Sequence, residues 1–237
     1  MATKKTAWAP FPAPSKAFQY NAAGLQKAWK QLHSGDAEPF PDAKRAEQLI
    51  KAAGKSAPKG ISAEAMADAL QAAWRAFHAG EFEQAFILGT ALGPIGTSVA
   101  AKALGIHATY LVKNVDDRLA RFEQAAQMAE QAVAALPKEA NSHYRLAFGY
   151  GRYGQGISIA KALSTGLAGK IKTALDACLK LEPKHAEAHL ASALWHAEII
   201  NKVGGTLAGL TYGAKRKTAE EHMKTALKLA PDMPIVH

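Results

Sequence analysis

A single cysteine, Cys178, stands in 237 residues, so no intrachain disulfide can form and a reducing compartment suits the chain. Its neighbours, Ala174-Leu175-Asp176-Ala177-Cys178-Leu179, are those of an apolar helix face, where a thiol packs inertly. Long apolar runs are missing too, because Lys, Arg or His interrupts every one, which excludes a bilayer-spanning segment. The opening Met1-Ala2-Thr3-Lys4-Lys5 leads into Trp8-Ala9-Pro10-Phe11-Pro12-Ala13-Pro14 without an apolar core, so no signal peptide is read and a cytoplasmic protein is expected. β-Branched residues rarely cluster and no strand is expected. No nucleophile, base and oxyanion donor fall at a usable spacing, so no catalytic residue and no cofactor are assigned.

Acidic residues are the minority, 20 against 29 Lys and Arg, giving a formal charge of +9. The excess is uneven: residues 1–60 hold ten bases and four acids, and residues 137–237 hold fourteen and eight. Such a surface attracts nucleic acid, anionic lipid or acidic protein and specifies none of them. No run of five bases and no nucleic-acid module is present, so a solvated basic surface is the simpler reading.

The chain does have internal repetition. Leu25-Gln26-x-x-Trp29-Lys30-x-x-His33-x-Gly35-Asp36 returns forty-five residues later as Leu70-Gln71-x-x-Trp74-Arg75-x-x-His78-x-Gly80-Glu81. Pro137-Lys138-x-Ala140-x-x-His143 returns as Pro183-Lys184-x-Ala186-x-x-His189. A fixed period of this length marks a supersecondary unit that needs neighbours to cover its apolar face. Helical spacing in Leu25-Ala28-Trp29-Leu32, Met66-Leu70-Ala73-Trp74-Phe77 and Leu119-Phe122-Ala126-Ala129-Val133-Leu136 supplies such faces. Gly80-Glu81 reads as the tight link of a helical hairpin, and Pro94, Pro137, Pro183 and Pro231 mark unit boundaries. The expected fold is an all-α stack of about five hairpins over residues 18–237, with residues 1–17 either an extended Pro-rich strap or a disordered arm.

His143-x₂-Leu146-Ala147-x₂-Tyr150, Ile171-x₃-Leu175 and Pro183, followed by His189-x₂-Ser192-Ala193-x₂-His196, Ala219-x₃-Met223 and Pro231, resemble a degenerate tetratricopeptide pattern. Two glycine-rich inserts, 154–169 and 202–214, lengthen these units. With them the chain resembles a diverged subgroup that includes the regulator of microtubule dynamics proteins and, more loosely, the tetratricopeptide accessory subunit of TRAP-type transporters. The resemblance implies a right-handed α-α superhelix without known catalysis and carries no catalytic residue across. A non-catalytic protein-interaction scaffold is therefore the expected function, binding an unidentified protein or peptide.

The inserts can plug the superhelix, dock on a membrane or partner, or line a pocket for a small molecule or lipid. Tyr150, Arg152, Tyr153, Gln155, Ser158, His196, Glu198 and Tyr212 are then its polar border. Two further motifs are set aside. Gly149-Tyr150-Gly151-Arg152-Tyr153-Gly154 matches the dinucleotide fingerprint literally, yet it follows a helical segment, Ala140 to Phe148, whose end the glycines are expected to close. His185, His189 and His196 share a helix face, but no Cys or carboxylate completes a metal set. Finally, only six residues follow Pro231, so the last hairpin expects either its own tail or a second copy of the chain as its cap.

Overall fold

The computed structural model describes residues 7–233, and within them the chain is helical with no strand. The helices are α1 (Ala22–Leu32), α2 (Ala43–Ala53), α3 (Ala63–His78), α4 (Phe82–Ala91), α5 (Thr97–Leu111) and α6 (Val115–Ala135). They continue as α7 (Ala140–Gly156), the short α8 (Ile159–Ser164), α9 (Leu167–Leu181), α10 (Ala186–Val203), the single turn α11 (Gly205–Leu207) and α12 (Arg216–Leu229). Starts are set by residues whose side chains accept a hydrogen bond from the first turn's free N–H groups. Asn21 caps α1, Asp42 α2, Ser62 α3, Asn114 α6, Ser158 α8 and His185 α10.

From α2 onward the longer helices pack mainly on their neighbours in sequence: α3 on α4, α4 on α5, α5 on α6, α6 on α7, α7 on α9, and α10 on α12. The second repeat has a local physical basis. α6, α9 and α12 end at Leu136, Glu182 and Ala230, each at φ between −132° and −140° with ψ between 62° and 87°. Proline follows each of these residues and forbids the helical conformation before it. Each then donates its N–H to the carbonyl four residues back, closing the last turn. His143 and His189 occupy matching places, each with Nε2 bonded to the carbonyl of the proline six residues earlier, at 2.9 and 3.0 Å.

The first repeat is conserved only in part. Trp29 stacks on His33 and Trp74 on His78, four residues apart in both helices, and the two indoles meet edge to face at 5.7 Å. Beyond the histidines the copies diverge. At Gly80, φ +79° turns α3 directly into α4, whereas His33–Asp42 forms a loop whose left-handed residue is Ala37 at φ +47°. That loop carries Asp36 to complete burial, while Glu81 stays exposed.

Residues 7–18 form a strap across the early helices. Trp8 lies between Phe86 and His107 with the Arg121 guanidinium over its ring, and Ala9 N–H donates to His107. Phe11 sits against the backbone of Gly80 and edge-on to Phe82. Residues 1–6 of the expected strap or arm, and the tail after Met233, lie outside the described residues. Met233 itself packs beside Leu190 and against Gly35, so the loop after α1 meets the end of the last hairpin.

Candidate functional site

The inserts are more helical than expected. α7 runs through all three glycines of the dinucleotide-like motif to Gly156, which corrects the expectation that they close a helix. Gly149 is where α7 crosses α6, since a Cβ there would lie 2.8 Å from the Ala126 amide nitrogen. α8 occupies the middle of the first insert. In the second, α10 extends to Val203 before α11 and a wide turn over Ala208–Tyr212.

These segments border a cleft of about 150 Å³ between α7, α8, α9 and α10. Phe148, Leu167, Ile171, Leu175, Leu190 and Trp195 wall its depth. Trp195 is held by donation from its indole N–H to the Ala168 carbonyl at 3.0 Å. Ile159, Leu163 and Leu194, each about half exposed, carry the apolar surface out to the mouth. Opposite them stand Lys202, Val203 and Tyr212 of the second insert, so both inserts face one opening.

Four of the eight expected border residues line this cleft: Arg152, Gln155, Glu198 and Tyr212. Gln155 links the two sides by donating to Glu198 at 2.6 Å. The other four are placed elsewhere. Tyr150 donates to Glu130 at 2.6 Å, and burial with this carboxylate pushes its phenol up to about 12. Tyr153 faces Lys161, Ser158 caps α8, and His196 is buried where its Nδ1 accepts from the Lys215 N–H. Helical phase explains the split, because Arg152 and Gln155 lie three apart on one face of α7 while Tyr150 and Tyr153 fall on another.

A second constellation, centred on Asp36, was not expected. Its carboxylate accepts from His33 Nδ1 at 2.8 Å, from Arg145 at 2.6 Å and from Lys102, and all three donors are largely buried. Glu187 lies 3.8 Å from both Lys102 and Arg145, so two carboxylates balance two cations. Burial alone would push the Asp36 carboxyl up, but Lys102, His33 and Arg145 together hold it well below the usual carboxylate range. Burial raises Glu38 to about 7, with Asp36 adding to the effect, and Ser98 donates to its carboxylate.

The members of the network come from distant parts of the chain. Lys102 is on α5, Arg145 on α7 and Glu187 on α10, while Asn141 donates to the Asp36 carbonyl and the Glu187 N–H donates to the Gly35 carbonyl. His33 gives Nδ1–H to Asp36, which leaves its Nε2 to accept from His78 at 3.2 Å. Burial lowers both imidazoles, His78 to about 3. No buried side-chain nitrogen or oxygen among the described residues lacks a hydrogen-bond partner, and the chemistry of the network is that of a clasp between the first loop and the last hairpins.

Among the described residues no group of three or more His, Cys, Asp or Glu side chains is placed to hold a metal. His185 is committed to the α10 cap and to Asn141, and His189 to Pro183 and His222. Burial pushes the Cys178 thiol up to about 12, away from the reactive thiolate. No helix among the described residues is long and apolar enough to cross a membrane. No protein-family model matches the chain, and no curated protein matches it in sequence.

Proposed function

We propose that this chain is a non-catalytic binding protein of tetratricopeptide-like superhelical architecture, working in the cytoplasm, and that its partner is a polypeptide laying an apolar helical stripe into the cleft. The three matching proline turns support the repeat reading. One observation carries the binding reading: Leu194, in the middle of α10 and between the buried residues Ala193 and Trp195, is nearly half exposed and continues an apolar wall inward. Isolated exposed leucines need no explanation, whereas one joined to Ile159 and Leu163 over an apolar cleft makes a contiguous patch. Helices bind such grooves through apolar anchors three and four residues apart, and Arg152, Gln155 and Glu198 at the rim supply polar contacts.

A displayed library of amphipathic helices, selected on the wild-type protein, tests this. Enriched helices whose affinity falls about tenfold or more with Leu194→Glu, at an exposed site that leaves the core intact, support it. Failure to enrich any helix overturns it. The second reading, a lipid chain or small apolar molecule in the same cleft, is favoured by its depth, since apolar cavities near this size hold small hydrocarbons. It predicts displacement of anilinonaphthalene sulfonate by a long-chain fatty acid with no helix enriched.

A further inference from the structure

Outside the cleft, the second insert ends in an apolar tip. Leu207 is about half exposed and Leu210 is 84% exposed, the most exposed large apolar side chain among the described residues. α11 and the following wide turn hold both leucines on a short projection between Gly204 and Gly213, each with φ near +70° to +80°. The sequence on either side of this tip carries charge of one sign. Residues 199–219 contain Lys202, Lys215, Arg216 and Lys217 and no acid, and residues 154–175, the facing insert and the start of α9, contain Lys161, Lys170 and Lys172 and no acid. The carboxylates nearest in sequence, Asp176, Glu198, Glu220 and Glu221, are engaged by Lys172, Gln155, Arg216 and Lys217, and the last two of these pairs are so exposed that they screen little.

We infer that the two inserts form a docking surface for an anionic bilayer, with Leu207 and Leu210 entering the headgroup region and Lys202, Lys215, Arg216 and Lys217 meeting lipid phosphates and carboxylates. A solvated loop gains nothing from a leucine at this exposure, whereas an interface takes up two leucines and draws in the surrounding cations. Ile159 and Leu163 of α8, with Lys161 between them, lie across the same opening and widen the surface. Charge complementarity commits the site to a lipid surface carrying negative charge. The inference goes beyond the cleft reading, because the tip leucines do not line the cleft.

Co-sedimentation with vesicles of phosphatidylcholine alone, and of phosphatidylcholine with phosphatidylserine, tests it on the whole chain. Binding is expected to the mixed vesicles only and to weaken as salt rises. Replacing Lys215, Arg216 and Lys217 together by Ser should weaken it about a hundredfold, from about fivefold per charge. Leu210→Ser should weaken it about tenfold. Lys44→Ser with Lys51→Ser, on the exposed face of α2, should change it little, and Leu194→Glu should leave vesicle binding intact while weakening helix binding about tenfold or more. Equal losses from the α2 and tip variants would reduce the effect to diffuse attraction and overturn the inference. So would equal affinity for neutral vesicles, or a dimer that Leu210→Ser dissolves while no vesicle binds.

Discussion

Asp36→Asn is the sharpest perturbation available to this structure. Asparagine keeps the size of the side chain and one acceptor oxygen, but it removes the charge and aims an amide N–H₂ into a ring of donors. The wild-type carboxylate takes charge-assisted hydrogen bonds from Arg145 at 2.6 Å and from His33 at 2.8 Å, besides that from Lys102. After the change, Lys102 and Arg145 keep only Glu187, 3.8 Å from each, and the buried region holds one uncompensated positive charge. Removing one member of a buried ion pair costs about 3–5 kcal/mol, and losing two charge-assisted hydrogen bonds at about 1.5–3 kcal/mol each gives a similar sum. About 4 kcal/mol is therefore expected, a large part of the roughly 5–15 kcal/mol that holds a typical domain together. Urea unfolding followed by far-UV circular dichroism measures it, and at a slope near 2 kcal/mol per molar the midpoint should fall by about 2 M. Adding Lys102→Met to Asp36→Asn should recover part of the loss, because the stranded cation goes with it. A single-variant cost under about 1 kcal/mol, or effects of the two changes that merely add, would refute the clasp.

Acid should destabilise the protein from near neutrality downward. His33, His78 and His185 are lowered by burial, the last two to about 3, so the unfolded chain binds more protons once the pH drops below about 6.5, and stability is lost as the pH falls. Asp36 acts in the same direction lower down, its contribution being full above about pH 4 and lost below. Glu38 has the opposite sign: raised from 4.5 to about 7, it holds a proton in the folded state, and its contribution is full below about pH 4.5 and is lost as the pH rises from there through 7. Glu38→Gln should therefore gain stability relative to wild type as the pH rises from about 4.5 to 7 and keep that gain above it, and urea midpoints that do not separate across that range would contradict the assignment. Gly80→Ala should cost roughly 2 kcal/mol, from the positive φ and from the Phe11 ring that a Cβ would strike, and a neutral result would show that the strap does not rest there.

The helical class, the hairpin link at Gly80 and the proline boundaries were legible because they depend on local rules: periodicity, a left-handed turn and a residue barred from helix before proline. The matching seats of His143 and His189 were legible for the same reason. Arg152, Gln155, Glu198 and Tyr212 line the cleft, whereas Tyr150 and Tyr153 fall on another face of α7, whose phase depends on packing against α6 at Gly149. The Asp36 network was not legible at all. Lys102 and Arg145 look in sequence like the outward charges of amphipathic helices, and their partner is 66 residues away in one case and 109 in the other. The His-x-Gly-Asp motif was read as a copy of His-x-Gly-Glu, when burial of Asp36 and exposure of Glu81 make the two opposites.

The most direct test of the binding account is methyl nuclear magnetic resonance on the full chain during titration with anilinonaphthalene sulfonate. The account predicts that Leu163, Leu194 and Ile199 methyls shift together along one saturating curve while Leu49 and Leu70, in the core between α2 and α3, stay still. Shifts confined to the α2 and α3 core, or a dye that binds without moving any methyl of the cleft, would contradict it.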